Sequence, residues 1–203
     1  MKIICIGRNY ADHARELNHP LPEVPVFFMK PESAVIQNNN AFFLPGFSNE
    51  VHYETEIVLK IMRLGKNIEK QFAHRYYQEI GVGIDFTARD LQRECIKEGR
   101  PWEIAKAFDG SAVLGRFIKK EKLPDPGAIE FQLDLNGQTV QKGNTRDLIF
   151  SFETIIAYVS TFITLKTGDL IYTGTPAGVG PVKINDHLVA SVEGQVMLDF
   201  WVK

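Results

Sequence analysis

The sequence predicts a mainly β architecture of the α+β class: a mixed sandwich or roll with a few helices at its edges. Three observations carry that reading. Short strand patterns recur along the whole chain, only three stretches carry a helix pattern, and nowhere do strands and helices alternate in the βαβ rhythm of a parallel sheet.

In chain order, Lys2 to Ile6 reads as a short buried strand ending at Gly7, and Tyr10 to Leu17 as a short helix that stops before His19-Pro20. Asn18 to Pro25 carries three prolines and reads as a loop. From Val51 the pattern alternates, with Tyr53, Thr55, Ile57, Leu59 and Ile61 on one face and Glu54, Glu56, Val58, Lys60 and Met62 on the other. Gly81 to Phe86 reads as a buried strand with Asp85 at its exit. Thr87-x-x-Asp90 then has the form of a capping box, opening a helix to about Glu98 with Gly99 as its stop. Glu130 to Leu135 and Gln138 to Lys142 flank Asn136-Gly137, the strongest short hairpin signal in a sequence. Phe152, Ile155, Val159 and Phe162 share one helix face behind Ser151 as cap. Strands follow at Leu170 to Thr173, about His187 to Val192 and Gln195 to Val202, the last two joined at Glu193-Gly194.

The chain has 203 residues, which predicts one domain spanning 1–203, long enough to bury a core without disulfide or metal. Its 44% hydrophobic and 24% charged residues exclude disorder and a coiled coil. With 23 Lys+Arg against 25 Asp+Glu, and a pI near 6.2, there is no electrostatic footprint for nucleic acid. The longest uncharged stretch of the second half, Thr154 to Leu165, falls far short of the roughly 20 apolar residues of a membrane span. Four apolar residues between Lys2 and Gly7 are too few for a signal-peptide core. Cys5 and Cys95 have no ligand-like spacing and read as buried thiols of a reducing cytoplasm.

Candidate chemistry begins with Glu54 and Glu56, since an i, i+2 pair on a strand points both carboxylates to one side. Two like charges so close repel, and a cation between them relieves that cost. Asp85, after the apolar run Ile80 to Ile84, is costly unless ionised for a partner. Three carboxylates with room for water form an oxygen site suited to Mg or Mn. Read without such a site, Glu-x-Glu is a solvated strand face. His13 and Glu16, three apart on a predicted helix, are spaced for the carboxylate to orient an imidazole acting as general base, although a surface helix pair has the same spacing. Lys106 and Lys30 are lone cations among apolar neighbours, able to stabilise a developing oxyanion or to reach for solvent. Gly174 to Gly180 lacks the Gly-Lys-Ser/Thr ending of a phosphate loop and reads as a tight turn whose amides meet a substrate carboxylate.

Taken in order, five motifs resemble the signatures of the fumarylacetoacetate hydrolase family: Gly7-Arg8-Asn9-Tyr10-Ala11-Asp12-His13, Tyr53-Glu54-Thr55-Glu56, Asp85 through Gln92, Lys106-Ala107-Phe108-Asp109, and Thr173 through Gly180. The chain is most similar to the acylpyruvate hydrolase and oxaloacetate decarboxylase branch. The resemblance implies a mixed β-sandwich roll, a homodimer and one Mg2+ or Mn2+ per chain held by Glu54, Glu56 and Asp85. It implies that His13 and Glu16 form a water-activating dyad on a lid and that Lys106 is catalytic. Arg8, Lys30, Arg89, Gln92 and Thr175 match positions that hold the substrate. One departure is His52 before Tyr53, where many members carry Asp.

The reaction implied first is cleavage of a C–C bond in an acylpyruvate, giving pyruvate and a carboxylic acid. Decarboxylation of oxaloacetate and keto-enol isomerisation of a 2-oxo acid are the alternatives at the same site. The expected partner is a small 2-oxo or 2,4-dioxo acid, with no nucleic acid and no membrane.

Overall fold

The computed structural model describes residues 1–17 and 20–203, so Asn18 and His19, the first two residues of the predicted proline-rich loop, lie outside the described residues. The strands form three sheets. The largest has seven, in the spatial order Val26–Lys30, Ile3–Gly7, Leu170–Tyr172, Thr55–Ile61, Tyr77–Asp85, Ala112–Lys119 and Val35–Ile36. Its mixed character comes from two parallel junctions, Ile3–Gly7 with Leu170–Tyr172 and Val35–Ile36 with Ala112–Lys119. A four-stranded antiparallel sheet runs Gln138–Asn144, Glu130–Leu135, His187–Val192, Gln195–Trp201, and a short three-stranded one runs Gly180–Pro181, Val51–Tyr53, Thr87–Ala88. Helices α1 (Ala11–Glu16), α2 (Arg89–Glu98), α3 (Glu103–Lys106) and α4 (Phe152–Phe162) complete the mainly β roll that the sequence predicts.

The period-two pattern decides which side chains go where. Ile57, Leu59, Ile61, Ile80, Val82 and Ile84 pack against Leu133, Leu188, Leu198 and Phe200 in one core. Val58, Ile3, Cys5, Leu114 and Tyr172 form a second cluster. Glu56 and Asp85, on the face shared with Val58, are therefore carried into buried surroundings. The run from Val51 to Met62 is nevertheless not one strand. It breaks at Glu54: Val51–Tyr53 belongs to the three-stranded sheet, the chain passes to the seven-stranded sheet at Thr55, and Met62 lies beyond the strand end. At the break the Glu54 carbonyl accepts the Asp85 N–H at 2.8 Å, a long-range bond that alternation in sequence does not encode.

Asn136 and Gly137 take left-handed φ of 52° and 79°, and Glu193 and Gly194 of 49° and 73°, as type I′ hairpin turns demand. Ser151 caps α4 by accepting the Thr154 N–H. Phe162 departs from its expected inward face: it is 59% exposed, packing on Phe27 and Tyr158, while Ile156 is buried instead. The capping box is also corrected. Thr87 is a strand residue whose hydroxyl donates to the Asp85 carbonyl, and the Asp90 carboxylate accepts from Ser48 Oγ and Asn49 N, fastening α2 to the 48–50 segment. Gly99 ends α2 with φ 66°, as predicted.

Gly83 sits where a Cβ would lie 2.7 Å from both the Tyr172 ring and the Val113 carbonyl. Gly83→Ala is therefore expected to destabilise the fold by about 1–3 kcal/mol, the usual range for overpacking a filled core. Urea unfolding measures it, and a midpoint equal to that of the wild type would refute this account of the sheet centre.

Candidate active site

Glu54, Glu56 and Asp85 converge where the two sheets meet, each at most 5% exposed and with one carboxylate oxygen apiece within 4.8 Å of the others. At that spacing each pair, when both carboxylates are ionised, repels by at least about 3.5 kcal/mol, taking an effective dielectric of roughly 20. Lys106, from the end of α3, offsets part of this: its Nζ lies 2.8 Å from Glu54 and 2.9 Å from Asp85. Lys30 reaches the other Asp85 oxygen at 2.7 Å, and Arg89, at the start of α2, pairs with Glu54 at 2.5 Å.

Glu56 is treated differently. Among the described residues it forms no ion pair, and its Oε2 accepts the Gly174 N–H at 2.6 Å. Burial and then the charges of Asp85 and Glu54 push its carboxyl well above the ordinary range. Burial pushes Glu54 the same way, but Lys106, Arg89 and His13 outweigh it and hold that carboxyl low. Lys106 is held above its ordinary value because Asp85 and Glu54 outweigh the opposing effect of burial. An all-oxygen donor set with one anion lacking a countercharge fits a hard divalent cation.

His13 is buried on α1, with Nδ1 3.0 Å from Glu16 Oε2. Glu16 Oε1 in turn accepts the Gly178 N–H at 3.0 Å, so the carboxylate is tethered at both oxygens. Arg8, His13, Arg89, Gln92, Lys106 and Thr175 all line the same cleft as the three carboxylates, together with Phe28 and Trp102. The left-handed backbone at Arg8, φ 57°, is uncommon for a residue with a side chain. A further hollow of about 320 Å³ opens beside the cleft, sharing Leu17, Arg89, Gln92 and Ile96 with it.

Two expectations are revised by position. Lys30 does not line the cleft: its ammonium is buried behind Asp85, donating to Ser111 Oγ and the Phe86 carbonyl, because its strand faces the underside of the cluster. The Gly174 and Gly178 amides meet the protein's own Glu56 and Glu16 rather than standing free for a substrate carboxylate. His52 pairs with Glu50, not with the three carboxylates. Sequence reading missed Asn9 and Gln141. Asn9 is fully buried and bonds Thr173 and both backbone groups of Phe150, fixing the turn that follows Arg8; its signals are its place within the Gly7 to His13 motif and its polarity between a strand end and a helix start.

The chain matches the fumarylacetoacetate (FAA) hydrolase C-terminal family over residues 2–202. It belongs to this family. Among curated relatives, the mouse protein named oxaloacetate tautomerase FAHD1, mitochondrial, is 43% identical over 201 residues, covering 99% of this chain and 91% of the relative. A fumarylacetoacetate hydrolase family protein of Yersinia pestis has a solved structure that superposes with a TM-score of 0.96 at 37% identity, covering 100% of this chain and 93% of the other. Fumarylpyruvate hydrolase of Pseudomonas aeruginosa, solved with Mn2+ and pyruvate, superposes at 0.94 with 36% identity, covering 100% and 89%. The family resemblance read from the five motifs is thus the family found, and it is a family of enzymes.

Glu56 gives a test of the charge balance. A carboxyl whose pKa is raised by folding leaves the native state holding more protons than the unfolded one, so its contribution to stability falls as pH rises above the ordinary value of 4.5. In chelator-treated protein at pH 7.5, Glu56→Gln is expected to raise Tm by about 2–4 °C, the response of a chain this size to about 1 kcal/mol. The gain should shrink toward pH 5. A Tm lowered by the substitution at both pH values would show that Glu56 is already neutralised by the protein.

Proposed function

We propose that the protein interconverts the keto and enol forms of oxaloacetate, with residues 1–203 acting as one catalytic domain in a homodimer. The observation that carries this reading is a tethered imidazole, His13, opening on the same cleft as Lys106 and the three carboxylates, in a chain 43% identical to a relative named oxaloacetate tautomerase. This reverses the order in which the sequence alone ranks tautomerisation and C–C cleavage. Glu54, Glu56 and Asp85 would hold one Mg2+ or Mn2+, which supplies Lewis acidity toward the oxo oxygens of the substrate. Arg8, Arg89, Gln92 and Thr175 hold the acid's carboxylate and keto ends. With Nδ1 engaged by Glu16, His13 presents Nε2 as the base that takes a proton from C3. The C–H electron pair becomes the C2–C3 double bond, and the C2 oxygen takes up a proton while the Lys106 ammonium counters the charge developing there.

C–C hydrolysis of acylpyruvates is the second reading, favoured by the likeness to fumarylpyruvate hydrolase and by the adjoining 320 Å³ hollow, which would take a longer acyl group. Here His13 accepts a proton from water, whose oxygen attacks the distal carbonyl. The C3–C4 bond breaks, its electron pair forms the enolate of pyruvate, and protonation gives pyruvate and a carboxylic acid. A cytoplasmic location is supported by the two buried free thiols, Cys5 and Cys95, whereas the mouse relative is named mitochondrial. Among the described residues no helix is long and apolar enough to cross a membrane.

The test follows enol oxaloacetate by its ultraviolet absorbance and acetylpyruvate by pyruvate release, each corrected for the metal-catalysed background. Acceleration of ketonisation with kcat/KM above that for acetylpyruvate is expected. The reverse ranking would install hydrolysis, and carbon dioxide release matching enol loss would install decarboxylation. His13→Ala should lower the favoured reaction on the order of 10²- to 10⁴-fold. Asp85→Asn should weaken Mn2+ binding in calorimetry while circular dichroism stays unchanged. Equal Mn2+ affinity in the wild type and Asp85→Asn would refute the ligand set.

The pH dependence of cation binding follows from the raised carboxyl of Glu56, which must lose its proton to act as a ligand. The rise in Tm produced by a fixed Mn2+ concentration should therefore be greater at pH 8 than at pH 6. Equal rises would place Glu56 outside the cation site.

A further inference from the structure

We propose that Gln141 is a positioning residue that presets the Thr175 hydroxyl as a hydrogen-bond donor to the carboxylate of the bound acid. The assignment rests on the functional reading above only in taking Thr175 as a contact to that acid. Gln141 belongs to the Gln138–Asn144 strand of the four-stranded sheet, away from every motif that carries the family resemblance, and is 2% exposed. It comes directly after a bulge: Thr139 pairs with Asp134 and Gln141 with Leu133, leaving Val140 as the extra residue. Such an insertion re-aims the following side chain. Gly178 closes over the same point, with a position where a Cβ would lie 2.4 Å from the Val140 carbonyl.

The amide's orientation is fixed by partners that cannot exchange roles. Gln141 Oε1 accepts the backbone N–H of Thr55 at 3.0 Å, and Nε2 donates to the Pro176 carbonyl at 2.9 Å. Nε2 also donates to Thr175 Oγ1 at 2.9 Å. Since that hydroxyl oxygen accepts from Gln141, its own proton is left to point elsewhere, and Thr175 lines the cleft. A hydroxyl so oriented has its proton free to give to an anionic oxygen. The same side chain ties Thr55, which stands between Glu54 and Glu56, to the loop that carries Thr175. One amide thus sets the distance between the carboxylate cluster and the substrate's anchor.

The experiment measures oxalate binding by calorimetry in the presence of saturating Mn2+, which needs the site but no turnover. Thr175→Val is expected to weaken oxalate roughly 10-fold or more, the loss of one hydrogen bond to a charged group. Gln141→Met, similar in shape but without either polar function, should weaken it by the same order. Gln141→Glu retains an acceptor for the Thr55 N–H but has no N–H to give, so it too should weaken oxalate. In the Thr175→Val background, Gln141→Met should add less than about twofold, since both substitutions remove one interaction. Steady-state kinetics should show the loss in KM more than in kcat.

Three results would overturn the proposal. They are full additivity of the two substitutions, unchanged oxalate affinity in Gln141→Glu, and loss of cooperative thermal unfolding in both Gln141 variants, which would make the residue structural alone. Wild-type protein that binds oxalate yet converts neither acid would sink the functional reading and leave the assignment of Gln141 standing.

Discussion

Three buried carboxylates facing one another are the constraint on which the site depends. Glu54, Glu56 and Asp85 would repel one another out of any ordinary core, and the protein answers with three cations brought from three different places: Lys106 from α3, Arg89 from α2 and Lys30 from an edge-side strand. Buried charge is tolerated only where partners are close and well aligned, and removing one partner strands the other. The positions of α2 and α3 at the mouth of the roll are therefore tied to the electrostatics of the cluster as much as to apolar packing. Glu56, which among the described residues has no cation of its own, keeps the balance incomplete on the side that faces the cleft.

Around that cluster, hydrogen bonds from the loop after Leu170–Tyr172 do the positioning. The Gly174 amide holds Glu56, the Gly178 amide holds Glu16, and through Glu16 it orients His13. Asn9 fastens the segment after Arg8 to the start of the same loop by bonding Thr173, and to Phe150. Glu56, Glu16 with His13, and Thr175 are thereby referenced to one short stretch of backbone. Side chains held this way lose little freedom when a ligand arrives, which is the physical content of preorganisation.

The alternation Thr55, Ile57, Leu59, Ile61 and the turn residues Asn136-Gly137 were legible because local periodicity and left-handed backbone leave direct marks on residue choice. The Glu-x-Glu pair was legible for the same reason. Lys30 was not, because an apolar stretch around a lysine looks alike whether the ammonium reaches a cleft or lies beneath a carboxylate. The break at Glu54 and the bulge at Val140 escaped because both are settled by pairing across the sheets, with Asp85 and with Leu133, and neither has a counterpart in the chain's own period. Gln141 is the extreme case: a glutamine in a hairpin strand gives no hint that its amide ends at Thr55 and Thr175.

The strand break at Glu54 also bears on which changes of length the chain can absorb. Its peptide is a one-residue step by which the backbone leaves one sheet and enters another, as Phe86 is between Asp85 and Thr87, and its carbonyl is fastened to Asp85. Strand side chains alternate with a period of two, so one residue added or deleted between Tyr53 and Ile57 would turn Glu54 or Glu56 to the opposite face while leaving the apolar register downstream intact. Such a chain would still fold around Ile57, Leu59 and Ile61, but with one acidic group delivered into the hydrocarbon interior. The hairpin tips carry no carboxylate of the cluster, and what fixes them is local: Asn136 bonds Asp186 and His187, and Glu193 bonds Glu130. Spacing, as distinct from composition, is thus the quantity that the carboxylate cluster constrains at this segment.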